Sequence, residues 1–271
     1  MRNILYSLMA IIILFSFSRC SNLLHDAVGE SLSEGDLYSA IEFTMDVSNL
    51  NGSIYTEIGN STLEGTPTEF PNGRSEKFRY LDGDDYLTFD MSTISLDQGI
   101  ISIWLKPDFG SFSTSTFFVL DSQRLENDGI KIWFSSTHFK SILNINDTKE
   151  VNADEYDTDF TWEAGAVLHI VLIWNNPQDS YDESFFLYVN NGDREAADRG
   201  GWTGYLADKF SSETTIGSSG TSNNWLGGIF DFTIFNYNAL SKFSRTQILQ
   251  ALYNNEFGSN GEHKFCYELE E

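Results

Sequence analysis

Proline is scarce in this chain, four residues among 271, and cysteine scarcer still, with two. So few prolines and no low-complexity linker argue against division into small domains by stiff spacers, and two cysteines build no disulfide framework. Basic residues are outnumbered as well: 16 Lys and Arg face 40 Asp and Glu, for a formal net charge of −24. A field of that sign repels nucleic acid phosphates, anionic lipid surfaces and sulfated or uronic polysaccharides unless cations intervene, which leaves neutral glycans, cationic partners and metal ions; the alternative reading is a solvated surface that keeps a secreted protein soluble. The only apolar run suggestive of a membrane, Ile4 to Phe17, is too short and too terminal for a typical span. Aromatic residues, by contrast, make up 15% of the chain, ample for one large hydrophobic core.

Arg2 precedes the apolar run, and residues 1–20 read as a secretory signal. The run closes on Phe17, Ser18, Arg19 and Cys20, followed by Ser21. This ending is similar to a bacterial lipoprotein signal, in which Cys20 becomes the lipidated first residue, although Arg19 stands where such signals carry a small residue. The alternative is cleavage nearby and a disulfide between Cys20 and Cys266 in an oxidising compartment. Residues 21–38 contain Ser, Gly, Glu and Asp with little periodicity and are expected to be a tether. Outer-membrane or cell-surface attachment follows, or else secretion, with the membrane touched only through the N-terminal lipid.

Beyond the tether the chain alternates with a period of two. Strands are predicted near residues 39–46, 77–81, 86–90, 99–106, 116–121, 129–135, 140–145, 166–175, 184–190, 213–217 and 228–236. The run VLHIVLIW, 167–174, is apolar on both faces and belongs at the centre of a sheet, with His169 as a packed core residue. In the last strand Phe230, Phe232 and Ile234 share one face by parity, and Asp231 and Thr233 the other. Ser244 and Gln247 then have the spacing of a capping box, and Ile248, Leu249, Leu252 and Tyr253 recur at helical spacing. So many strands without intervening helices predict an all-β, two-sheet antiparallel jelly-roll sandwich with one short C-terminal helix, over residues 39–254, followed by an acidic tail, 255–271.

Six segments in order resemble the laminin-G-like group of concanavalin A-type domains: FTMDVSNLNGS (43–53), YLDGDDYLTFD (80–90), ISIWLKPDF (101–109), LHIVLIWN with FFLYVNNGD, TTIGSS (214–219) and GGIFDFTIFNYNALS. The resemblance implies a secreted or lipid-anchored binding or adhesion module for a glycan or extracellular protein, without enzymatic activity. It also implies a structural calcium between the opening loop and the closing strand, with Asp46 and Asp231 as the available ligands. Phe230 stands where relatives carry the first of two consecutive acids, which trades a ligand for core.

The rival function is polysaccharide degradation by a glycoside hydrolase or lyase, since the same fold hosts both. Hydrolysis needs two carboxylates across a cleft, and related glucanases carry them as Glu-x-Asp-x-x-Glu. Here Glu34 with Asp36, Glu126 with Asp128 and Glu155 with Asp157 all lack the final glutamate. A lyase base among the scattered His25, His138, His169 and His263 is not marked either. For sugar binding, aromatic faces in loops are the usual means, and Trp202, Tyr205 and Trp225 lie in Gly-, Ser- and Asn-rich segments. Trp104, Trp133 and Trp174 fall in strands and are expected to pack.

Overall fold

The computed structural model describes residues 32–45, 55–58, 61–64, 66, 68–70, 75–94, 98–122, 129–135, 138–145, 149–154, 161–175, 183–190, 196–199, 210–219 and 223–254. In chain order the elements are α1 (Glu34–Ala40), β1 (Ile41–Met45), β2 (Tyr55–Ile58), β3 (Thr62–Leu63), β4 (Thr68–Glu69), β5 (Ser75–Glu76), β6 (Arg79–Asp82) and β7 (Tyr86–Phe89). They continue through β8 (Gly99–Pro107), β9 (Phe117–Asp121), β10 (Gly129–Ser135), β11 (His138–Ile145), β12 (Lys149–Asp154) and β13 (Leu168–Trp174). The last are β14 (Glu183–Val189), β15 (Ala196–Arg199), β16 (Thr214–Ile216), β17 (Leu226–Phe235), α2 (Tyr237–Leu240) and α3 (Arg245–Asn254).

Two antiparallel sheets form the all-β sandwich. An eight-stranded sheet runs β15-β14-β13-β8-β17-β6-β3, with β1 beside the C-terminal half of β17, and a seven-stranded sheet runs β12-β11-β10-β9-β16-β7-β2. Between them lies the main core, to which alternate residues contribute: Ile101, Ile103 and Leu105 of β8, Ile170, Leu172 and Trp174 of β13, Ile130, Ile132 and Phe134 of β10. This is the period-two pattern read from the sequence, now with its inward face identified.

The eight-stranded sheet is buried on its outer face too. Val171 and Ile173 of β13, Ile100, Phe186, Tyr188 and Phe235 pack beneath Leu37 of α1, Leu240 of α2 and Ile248, Leu249 and Leu252 of α3. That second layer explains why β13 is buried at every position. The terminal helix begins as its residues predict: Gln247 N–H donates to Ser244 Oγ at 3.2 Å, and Ser244 N–H donates back to Gln247 Oε1 at 2.9 Å. Among the described residues three short helices are present where one was expected. The first, α1, falls within the stretch read as tether, yet Leu37 is fully buried, a contribution of ~1.5–3 kcal/mol. Asp36, suspected from its Glu-x-Asp pair, closes a capping box with Ser33 and pairs with Lys242 Nζ at 3.1 Å.

One expectation about β17 is reversed. Ile229 pairs with Leu105 and Phe232 with Ile103, so β17 uses one residue more than β8 across this interval. The resulting bulge resets the alternation. Phe232 and Ile234 enter the main core, whereas Phe230 turns outward into a separate aromatic cluster with Phe70, Phe78 and Trp104.

Candidate functional site

The outer face of the seven-stranded sheet differs from that of its partner. No described helix packs on it, and a patch across β9, β10 and β11 is half-buried rather than covered. At its centre Trp133 of β10 sits opposite Phe118 of β9, with ring centroids 6.3 Å apart and planes inclined by 29°. Polar groups frame the two rings. On one side Lys131 Nζ lies 3.4 Å from Asp121 Oδ2, and on the other Thr116 Oγ1 and Ser135 Oγ share a hydrogen bond of 3.1 Å. Across the next strand, Lys140 is in register with Trp133 and His138 with Ser135. Half-buried rings flanked by hydroxyls and cationic donors suit the mixed apolar and hydroxylated faces of a sugar.

This patch was legible in GIKIWFS. Ile130, Ile132 and Phe134 are buried, while Lys131, Trp133 and Ser135 alternate with them on the outer face. Treating every strand tryptophan as packing missed it. Trp104 and Trp174 do pack, at 3% and 0% exposure. His169 is likewise a core residue: its ring stacks on Trp104 at 4.4 Å and its Nε2 lies 2.8 Å from Ser102 Oγ.

The loop aromatics fare differently. Trp202 and Tyr205 lie outside the described residues, as do Asp46, Cys20 and Cys266. Trp225 is described and is fully buried, edge-on to Phe109 at 5.3 Å, so its ring face is not available to a sugar. The cause is tertiary: Trp225 N–H donates to Gly217 O at 2.7 Å and Asp108 N–H to Leu226 O at 3.1 Å, which draws this segment over the end of the core. Its indole nitrogen makes no hydrogen bond among the described residues.

The calcium implied by the resemblance pairs Asp231 with Asp46, and Asp46 lies outside the described residues. Asp231 is 9% exposed, but its neighbour Phe230 is enclosed by rings, with Phe70 at 4.4 Å and Phe78 at 5.4 Å, where the family would supply oxygen. Calcium takes six to eight oxygens, and among the described residues no group of three or more His, Cys, Asp or Glu is arranged to hold a metal. Among the acidic pairs, Glu126, Asp128, Glu155 and Asp157 lie outside the described residues.

No family model matches the sequence, and no curated protein matches it. Solved structures match the fold. A structure of botulinum neurotoxin type C, whose cell entry depends on interaction with two ganglioside molecules, is 15% identical with a TM-score of 0.57, covering 82% of this chain and 53% of that one. The receptor-binding domain of the botulinum neurotoxin C/D mosaic serotype is 13% identical at a TM-score of 0.54, over 81% and 52%. The binding domain of serotype C1 is 15% identical at 0.55, over 81% and 53%. This chain spans about half the length of each. At such identities the likeness is one of fold, and what those toxins bind remains a property of the toxins.

Proposed function

We propose that this chain is an exported, non-enzymatic binding module of the laminin-G-like type, held at the cell surface by a lipid on Cys20, and that it recognises a neutral glycan. The observation that carries the reading is the pair Phe118 and Trp133, half-buried on a sheet face that no described helix covers. Two further observations support it. The formal charge of −24 disfavours anionic ligands, and solved structures of similar fold include binding domains of botulinum neurotoxins.

A glycan array probed with the full chain, with calcium and with chelator, tests the reading. Binding to neutral glycans that Trp133→Ala abolishes is the expected result, and absence of binding under both conditions overturns it. Palmitate labelling with a Cys20→Ala control tests the anchor, because label that persists in the variant rules out Cys20 as its site.

A further inference from the structure

The segment that delivers Phe118 to the sheet carries an exposed aromatic ring. Residues 109–118, FGSFSTSTFF, hold no charged side chain although the protein carries a formal charge of −24, and five of them are Ser or Thr. At the turn Phe112 is 79% exposed, a large hydrophobic side chain left in water. It is not at a frayed end. Phe109 anchors one side of the loop by stacking on Phe117 at 4.0 Å with planes 12° apart. Ser111 N–H donates to Trp162 O at 3.0 Å, Ser113 N–H to Gly110 O at 3.0 Å, and Ser115 N–H to Ser113 Oγ at 3.3 Å. The backbone is thus braced while the phenyl ring projects, so a partner covering it gains apolar burial without ordering a loop.

Phe112 and Phe118 are close enough in sequence that even a fully extended chain separates them by no more than ~20 Å. Between them Thr116 adds its hydroxyl to the outer face beside Ser135. Two aromatic contacts joined by a neutral, hydroxyl-bearing stretch match a chain of uncharged sugars better than a single one. We infer that the site continues from Trp133 and Phe118 onto the β8–β9 loop, and that its ligand is a neutral oligosaccharide reaching Phe112. The inference rests on the glycan reading of the sheet face.

Calorimetric titration of the full chain in detergent with ladders of neutral gluco-, manno- and galacto-oligosaccharides of increasing length separates the two. The expected result is affinity that rises with length in the wild type. In Phe112→Ala that rise is lost, by about tenfold for the longest member, with the shortest bound as before, whereas Phe112→Tyr retains it. Unchanged thermal unfolding of Phe112→Ala shows that the fold is intact, as expected for an exposed ring. If Phe112→Ala binds every length like the wild type while Trp133→Ala is impaired, the extension falls and the sheet-face reading stands. If Trp133→Ala binds like the wild type, or no ladder binds the wild type, the sheet-face reading falls and this inference with it.

Discussion

Phe230 and Phe232 lie two residues apart on β17 and face opposite sides of the eight-stranded sheet, Phe232 in the inter-sheet core and Phe230 in the outer cluster with Phe70, Phe78 and Trp104. The bulge between them therefore decides which set of side chains each ring stabilises. Phe230→Ala is expected to cost ~3–5 kcal/mol, the range for a buried Phe. A double-mutant cycle checks the facing: Phe230 should couple with Phe70, whose ring is 4.4 Å away, by ~0.5–1.5 kcal/mol. Coupling with Phe232 instead would mean that the two rings share a face.

The tryptophans separate stability from binding. Trp225→Ala removes a fully buried ring and is expected to lower stability in urea by ~3–5 kcal/mol. Trp133 is only half-buried, so Trp133→Ala should cost less stability and lose glycan binding. Equal losses of stability in the two variants would place Trp133 in the core.

Helix α3 starts with a reciprocal pair of hydrogen bonds between Ser244 and Gln247. Ser244→Ala should reduce stability by ~1 kcal/mol through the lost N-cap. Denaturant unfolding reports the change, and hydrogen exchange should show the extra opening concentrated at the first turn of α3 if the cap is its cause.

Tyr80 carries a pH dependence. Its hydroxyl donates to Asp108 Oδ2 at 2.8 Å, and this bond, with smaller contributions from burial and nearby carboxylates, pushes its pKa from 10.0 up to about 12. Because the folded value lies above the unfolded one, the stability this group contributes is present below pH 10 and is lost as the pH rises towards 12. In Asp108→Asn the Tyr80 pKa should fall back towards its ordinary value, read by NMR of ¹³C-labelled tyrosine. A titration that does not move would separate the shift from Asp108.

Much of the framework is local and so was readable in order along the chain. Period-two alternation located β8, β10 and β17, a run apolar on both faces located β13, and Ser244, Gln247 and the apolar spacing behind them located α3, because side-chain direction in a strand or helix follows from backbone geometry alone. The same alternation held Trp133 on the outer face beside Lys131 and Ser135, a signal present but outweighed by the habit of assigning strand tryptophans to the core. Short strands such as β3, β4 and β5 were missed, since two residues carry no period.

What the residues could not decide by themselves was which faces would be covered. Trp225 has the sequence surroundings of an exposed loop, yet hydrogen bonds to Gly217 and from Asp108 to Leu226 carry it over the core. Parity put Phe230 with Phe232 until the pairing of β17 with β8 inserted one residue more on β17. Coverage and register depend on partners far away in the chain, whereas alternation depends on neighbours. The sequence alone therefore determined the longer central strands and the terminal helix, and the tertiary structure decided that the eight-stranded sheet is buried on both sides and that Phe118 and Trp133 meet on the half-buried outer face of the seven-stranded sheet.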